Sequence, residues 1–267
     1  MKLLWQNQCC TFGTVLLLLA GVVPQGFAQG PPAGMVAISN GVYRPLFRST
    51  NEPKEIMVKA FCLDALPVTN GDFLEFVRAN PRWRRSQVKR LFAEESYLKT
   101  WADDLVLGTN ASALVPVTSV SWFAAKAYAQ WKGKRLPTVA EWEFAAAASA
   151  TRPDGENDAT FKRQVLEWYA TPGSAQLSPV GSGSTNFWGV HDLHGLDWEW
   201  VADFNTAMVT GDARGDTGLE RQLFCGSGSQ GAKDTENYPA FMRYGFRSSL
   251  KADYCVPNLG FRCAKDL

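Results

Sequence analysis

The residues best suited to do chemistry lie in one short stretch, residues 188–200. These thirteen positions hold three tryptophans, both histidines of the chain, three acidic residues and two glycines. Histidine and carboxylate side chains are the usual groups for proton transfer and metal binding. Acidic groups placed among indole rings must be paired, hydrogen-bonded or metal-bound. The stretch therefore predicts either an active site or a buried aromatic core in which Glu199 is a structural acid.

The two histidines suggest a metal site. His191 and His194 are three residues apart and are able to bind a transition metal from one face of a turn. Two imidazoles make an incomplete site, and Asp192, Asp197 or Glu199 would complete a two-histidine, one-carboxylate set for iron or copper. The alternative is that both histidines occupy structural or rim positions.

Proton transfer and anion binding are further roles for side chains of this kind. An oxidase must remove a proton from a substrate carbon or phenol. The candidates for that step are Glu199, His191, His194 and Tyr244. Arg243, Arg247 and Arg262 would bind anionic substrate groups through forked hydrogen bonds. In the alternative interpretation, these arginines form buried ion pairs with Glu141, Glu143 and Glu199.

Three amphipathic helices are predicted to position these groups. The first begins at Thr69, behind which apolar residues recur at helical spacing. The second covers residues 123–131 and ends at Gly133. The third follows Thr138, which forms a capping-box pattern with Glu141 three residues later.

The rest of the chain predicts short strands and irregular backbone. Strands are expected at residues 35–38 and 56–63, each bounded by turn formers. Residues 151–186 are polar and irregular apart from a short helix near 161–169. Strand-like pieces follow near the end of the chain, at residues 223–228, 241–247 and 258–263. A single α+β domain is the simplest interpretation.

Charge gives little indication of a partner. Lys+Arg 27 against Asp+Glu 26 leaves a formal net charge of +1, which does not favour a nucleic-acid partner. The one basic run is residues 78–90, around Trp83. It either faces an anionic ligand or forms a solvated helix face.

Residues 1–28 are typical of a signal peptide that is cleaved after Ala28. Their apolar run, residues 12–23, is about a dozen residues long, whereas a membrane-spanning helix needs roughly 20. The Gly/Pro-rich residues 29–34 would form a flexible tether. We therefore expect a periplasmic protein with no membrane contact after cleavage.

The cysteines of the mature chain suggest disulfides. Cys9 and Cys10 leave with the leader. The remaining four are Cys62, Cys225, Cys255 and Cys263. An even number in an oxidising compartment predicts up to two disulfides, whose connectivity the sequence leaves open. A thiolate metal site is the alternative.

Four motifs, in order, carry a resemblance to a known family. They are Phe-Cys-Leu-Asp at 61–64 with Val-Thr-Asn at 68–70; Pro-Val at 116–117 with Val-Ser-Trp at 120–122; Gly-Lys-Arg-Leu-Pro-Thr at 133–138 with Glu-Trp-Glu at 141–143; and Trp-Glu-Trp at 198–200 with Asn-Leu-Gly-Phe-Arg-Cys at 258–263. The ordered set resembles the sulfatase-modifying-factor family, whose best-known member is formylglycine-generating enzyme. The resemblance implies one domain over residues 35–267, with a fold related to C-type lectins and low in regular secondary structure.

The resemblance does not extend to copper chemistry. Formylglycine-generating members bind Cu(I) through two cysteines just before an Arg-x-x-x-Arg stretch, which here is residues 243–247. The positions that align with those cysteines are about Asp234 and Pro239, and residues 226–254 contain no cysteine. Oxidation of a sulfatase cysteine is therefore not expected.

The resemblance also implies a calcium site and a structural cysteine. The family's Gly-Asn-x-Trp-Glu-Trp calcium motif corresponds here to Gly195, Asp197 and Glu199, with Leu196 in place of the asparagine. Mixed carbonyl and carboxylate oxygens suit Ca²⁺. Cys263 matches a cysteine whose usual partner is replaced by Ala129.

Exported family members without the cysteine pair include proteins linked to maturation of the siderophore pyoverdine and proteins encoded alongside copper nitrite reductase. The resemblance therefore implies a periplasmic maturation protein. It would be an oxidoreductase for a small-molecule or peptide-derived substrate, or an accessory to a periplasmic metalloenzyme. The alternative is a non-catalytic module that binds a ligand or a partner protein.

Overall fold

The computed structural model describes residues 30–45, 53–170, 176–205 and 238–267. The chain divides into two units, Met1–Gly30 and Pro31–Leu267, and the fold below is that of the second. The predicted signal peptide, Cys225, Asp234 and the strand-like piece at 223–228 lie outside the described residues. None of the helices within these ranges is long and apolar enough to span a membrane.

Short strands form three small sheets in the described part of the chain. The first is antiparallel in the order β1-β4-β7, the second pairs β2 with β3 antiparallel, and the third pairs β5 with β6 in parallel. The strands are β1 Met35–Ile38, β2 Gly41–Tyr43, β3 Ile56–Val58, β4 Phe61–Asp64, β5 Trp198–Glu199, β6 Leu259–Gly260 and β7 Ala264–Asp266. The predicted first strand is confirmed. The predicted strand at 56–63 is instead two strands in different sheets.

Helices supply most of the regular structure, so the mixed α+β class agrees with the prediction. They are α1 Asn70–Ala79, α2 Trp122–Trp131, α3 Val139–Ala146, α4 Ala159–Ala170 and α5 Tyr238–Ser249, with a 3₁₀ turn at Pro81–Trp83. Thr69 and Thr138 both form complete capping boxes, with Asp72 and Glu141 respectively. A relation of this fold to C-type lectins stays a prediction.

Two sequence-based predictions about local structure are wrong. Residues 241–247 are not strand-like but lie inside α5. Arg243 and Arg247 are four residues apart, so they share one face of the helix. Both bind Glu143, and this shared ion pairing favours the helical conformation. The basic run at 78–90 is not a helix face, because α1 ends at Ala79 and turns follow. Arg85 instead donates to the backbone carbonyl of Trp101 at 2.7 Å.

The core is rich in aromatic rings. Phe73 stacks on Tyr128 with a centroid distance of 5.8 Å, and Phe261 meets Tyr128 edge-on at 5.3 Å. The buried indole of Trp101 also finds an acceptor, because its Nε1 donates to Asn70 Oδ1 at 2.8 Å. Aromatic pairs of this kind add to the stabilisation that comes from burying their area. This core ties α1 and α2 to the chain's C-terminal segment.

The three described cysteines are not bridged, which corrects the disulfide prediction for this part of the chain. Cys62, Cys255 and Cys263 are all free and buried. Cys62 lies opposite Lys265 in the sheet register, and the backbone N–H of Cys263 donates to the Asp64 carboxylate. Burial raises the pKa of all three thiols, so they remain protonated and poorly reactive at neutral pH.

Candidate functional site

Helix α3 places Glu143 where it binds both arginines of α5. Arg243 donates to Glu143 through Nε at 2.8 Å and through Nη2 at 2.7 Å, and Arg247 donates to the same carboxylate. The Arg243 guanidinium also donates to the hydroxyl of Tyr169 on α4 at 3.1 Å. These two arginines therefore form the buried ion pairs that the alternative interpretation predicts, because their guanidinium groups donate to a glutamate of the same chain.

The electrostatics of this cluster favour the fully charged state. Burial alone would raise the pKa of Glu143, but the two guanidinium groups outweigh burial and lower it to about 2. Burial and the adjoining Arg243 act in opposite directions on Tyr169, and burial prevails, so the pKa of this phenol is raised. Glu143 is therefore ionised at every physiological pH and is unsuited to take up a proton in a reaction.

A second buried ion pair uses Glu199. Arg262 contacts both carboxylate oxygens at 2.8–2.9 Å, and the side chains of Arg262 and Glu199 are 0% and 1% exposed. Trp142 Nε1 donates to the same carboxylate at 2.6 Å. Arg262 also donates to the carbonyl of His191 at 2.8 Å. The predicted catalytic Glu199 therefore has the surroundings of a structural acid.

Trp142 joins the two ion-pair clusters. Its N–H binds Glu199, while its ring lies under both guanidinium groups of α5, 4.9 Å from Arg247 and 5.7 Å from Arg243. Cation–π contacts of buried guanidinium groups add to their ion pairing. Because Trp142 and Glu143 are neighbours on α3, this helix links β5 and the C-terminal segment to α5.

The two histidines have different partners. His191 Nδ1 is 2.9 Å from the Thr185 hydroxyl, whereas His194 Nε2 is 2.9 Å from the carbonyl of Ala146. Since a carbonyl only accepts, His194 carries its proton on Nε2. Burial and the nearby Arg243 cation lower the pKa of His194 to about 4, so the ring is neutral at pH 7. Its Nδ1 is buried and has no hydrogen-bond partner within the described ranges.

The predicted metal sets are not assembled in the described residues. No group of three or more His, Cys, Asp and Glu side chains within these ranges is placed to hold a metal ion. For calcium, the acceptor positions of Glu199 are filled by Arg262 and Trp142, and the guanidinium adds a positive charge beside them. Glu199 therefore does not fit a calcium ligand. Iron, copper and calcium binding by this stretch stay predictions without support from these side chains.

Asp197 is the least satisfied polar group of the stretch. Its side chain is buried, and neither carboxylate oxygen has a hydrogen-bond partner among the residues that the structure describes. The backbone N–H of Gly260 lies nearby but outside hydrogen-bond geometry. Burial, and secondly the negative charge of Glu199, raise the pKa of Asp197 well above its usual value. The folded protein therefore favours the protonated, neutral form of this residue.

Asp197→Asn is expected to raise the melting temperature by several degrees at pH 8 and to change it little at pH 4. Because the folded-state pKa of Asp197 is raised, its contribution to stability is complete at low pH and is lost as pH rises toward that pKa. Asparagine is neutral throughout and removes this dependence. Melting curves of both proteins from pH 4 to pH 8 measure the effect, and parallel pH profiles would contradict it.

A cavity of about 960 Å³ adjoins the Glu143 cluster. It is lined by residues of β2, α3, α4 and the start of α5, together with the loop at 187–188. Its aromatic lining residues are Tyr43, Phe144, Phe161, Phe187 and Trp188. Of the predicted site residues, His194 and Arg243 line it, whereas Glu199, His191, Arg247 and Tyr244 do not.

Sequence reasoning missed the centre of this site. Glu143 entered only as one of three partners for the arginines, and the lining residues Tyr43 and Phe187 were not singled out. The Arg-x-x-x-Arg spacing was an available signal, because on a helix it places both side chains on one face, where a shared acid would offset their repulsion. No local pattern identifies which glutamate that is, since Glu143 is 100 residues from Arg243.

Comparisons with known proteins agree with this architecture. A family model described as a sulfatase-modifying factor enzyme 1-like domain matches residues 20–267. The chain is 30% identical to the "Inactive C-alpha-formylglycine-generating enzyme 2" of Bos taurus over 94% of each chain. It is 27% identical to the "Formylglycine-generating enzyme" of Bos taurus, over 92% of this chain and 78% of that protein.

Among solved structures, PvdO from Pseudomonas aeruginosa is similar over 87% of this chain and 94% of that one, at 20% identity and a TM-score of 0.47. The family model covers nearly the whole chain, and the relative at 30% identity matches over almost its entire length. The chain therefore belongs to the family of sulfatase-modifying factor enzyme 1-like, or formylglycine-generating-enzyme-like, domains.

Proposed function

We propose that this chain is a non-catalytic, exported member of the family that binds a ligand in the cavity beside Glu143. The observation that carries the proposal is that Glu199, Arg243 and Arg247, which were predicted site residues, are each paired with a buried counter-charge. Glu143 is bound by Arg243 and Arg247, and Glu199 is bound by Arg262. Breaking either pair would leave a buried charge uncompensated, so neither is a ready source of acid–base catalysis.

The cavity supports binding of a small molecule or a short peptide-derived group. At about 960 Å³, it is as large as the sites that enclose cofactor-sized ligands. Its aromatic rings offer flat apolar surfaces, while Arg44, Lys162, Asp154 and Glu156 place charges of both signs in the lining. The relative from Bos taurus that matches along its whole length carries the word "Inactive" in its name, which is consistent with binding without turnover.

The second candidate function is a periplasmic maturation enzyme, and one observation favours it. His194 lines the cavity, is neutral at pH 7 and has an unpartnered Nδ1. A neutral imidazole with a vacant acceptor is able to accept a proton from a bound substrate, although its pKa of about 4 makes it a weak base. Under this hypothesis the substrate would be a siderophore precursor or another peptide-derived molecule, as the family resemblance suggests.

The test uses the mature protein purified from the periplasm, whose first residue is expected to be Gln29. A concentrated small-molecule extract of the same periplasm should raise its melting temperature by several degrees, because ligand binding stabilises the folded state. Ala147→Trp, which fills the cavity from an exposed lining position, should abolish this rise. Ala102→Trp is the matched control at an exposed alanine outside the cavity and should keep it.

Mass analysis of the extract before and after incubation separates the two candidates. Binding without chemistry leaves every component of the extract unchanged. A component that is consumed by the wild type but not by a folded His194→Ala variant would establish the maturation enzyme instead. Equal melting temperatures with and without extract, for the wild type as well as for the variants, would contradict ligand binding in this cavity.

A further inference from the structure

A second concave surface lies outside the candidate site. It is a groove of about 590 Å³ between the outer face of α2 and the turns that follow α1. It shares no lining residue with the cavity beside Glu143. Its floor is aromatic, with Trp83, Phe92 and Phe123 among its lining residues, and Phe92 is 37% exposed. We call this surface the α2 groove.

The α2 groove has positive charge and no compensating acid. Arg82, Lys89 and Lys126 line it, and among the described residues that line it there is no aspartate or glutamate. All three side chains are exposed, and none of them takes part in an ion pair within the described ranges. Two lie over aromatic rings: Lys126 Nζ is 4.6 Å from the centre of the Trp122 ring, and the Arg82 guanidinium is 5.7 Å from that of Trp83.

Hydrogen-bond donors are also in excess at this surface. Trp83, in the floor, has a buried Nε1 with no acceptor in the described part of the chain. Buried donors without acceptors are costly and uncommon in folded proteins. A ligand rich in acceptors would therefore complement this surface in charge and in hydrogen bonding.

We propose that the α2 groove binds an acidic segment of a partner protein, with an aromatic or large aliphatic side chain between its carboxylates. Aromatic floors that bury one apolar side chain are typical of binding hot spots in protein interfaces. A rim of one charge sign attracts a segment of the opposite sign and fixes its position. The α2 groove combines both features, and its apolar floor favours a peptide over a purely polar polyanion.

The probe is a short fluorescein-labelled peptide of glutamates with two central phenylalanines, titrated with the mature protein at about 0.15 M salt, where distant charges are screened. The variant Arg82→Glu/Lys89→Glu/Lys126→Glu should weaken binding at least about tenfold, because three attractive charges become repulsive. The matched control is Lys54→Glu/Lys59→Glu/Lys265→Glu, which changes the net charge equally at exposed positions outside the groove. It should alter affinity by less than about twofold.

Two further measurements test the apolar floor. Phe92→Ala should weaken binding of the phenylalanine peptide but leave that of an all-glutamate peptide unchanged. An equal loss of affinity in both triple variants would mean that only net charge matters. Equal affinity for the phenylalanine peptide and the all-glutamate peptide would mean that the apolar floor does not contribute to binding. Tight binding of heparin oligosaccharides with no measurable peptide binding would identify a polysaccharide surface. Each of these three results would overturn the proposal.

Discussion

Arg262→Met is expected to lower the free energy of unfolding by about 3–5 kcal/mol. Methionine removes the only guanidinium that contacts Glu199 in the described structure, and it leaves a carboxylate whose side chain is 1% exposed. It also removes the donors that satisfy the carbonyls of Asp64 and His191. An uncompensated buried charge is among the largest single penalties known in folded proteins. Urea denaturation at pH 7 measures the loss.

Two controls separate the charge from the volume of the side chain. Arg262→Met/Glu199→Leu should recover most of the lost stability, because neither charge of this pair then remains. Arg44→Met removes the exposed partner of Glu55 and should cost about 1 kcal/mol or less. If Arg262→Met costs no more than Arg44→Met, the pair does not hold β6 and the stretch at 188–200 together.

The capped helices were predictable because their signals are local. Thr69 with Asp72 and Thr138 with Glu141 form complete capping boxes, so a few adjacent residues define where each helix begins. The aromatic residues of α1 are likewise buried at the spacing that the sequence shows. Capping signals therefore located these helices correctly, whereas residues 241–247, which carry no such described signal, were wrongly predicted as strand-like.

Contacts between distant residues were harder to predict. Arg262 is 63 residues from Glu199, and Arg243 is 100 residues from Glu143, so no spacing rule selects these partners. The expected strand at 56–63 failed for a similar reason, because its halves pair with strands in two different sheets. The prediction of disulfides rested on cysteine number and compartment, which say nothing of the distances between thiols.

The difference between local signals and distant contacts also explains why the sequence alone left two interpretations of residues 188–200. Histidines, carboxylates and tryptophans in one stretch suit either a site or a core, because both require polar groups with partners among apolar rings. The partners decide, and they come from elsewhere in the chain: Arg262 for Glu199 and the carbonyl of Ala146 for His194. Only the fold reveals that the Glu199 carboxylate has hydrogen-bond partners, whereas the Asp197 carboxylate has none among the described residues.

Glu143→Gln is expected to destabilise the protein by about 3–5 kcal/mol at pH 7, because two buried guanidinium groups lose their counter-charge at once. The loss should depend on pH in a defined direction. In the wild type the pKa of Glu143 is lowered to about 2 from a usual 4.5. Its contribution to stability is therefore complete above pH 4.5 and is lost as pH falls toward 2.

Glutamine resembles the protonated form of Glu143, so the stability curves of the wild type and the variant should converge in acid. Urea denaturation at pH 7, 5 and 3 measures this convergence, and a constant difference between the two curves would contradict it. The variant also leaves Arg243 cationic in the cavity lining without its counter-ion. The variant should therefore bind anionic ligands more tightly than the wild type and unfold more readily. Both effects have one cause, because Glu143 neutralises the positive charge of Arg243 in the proposed ligand site.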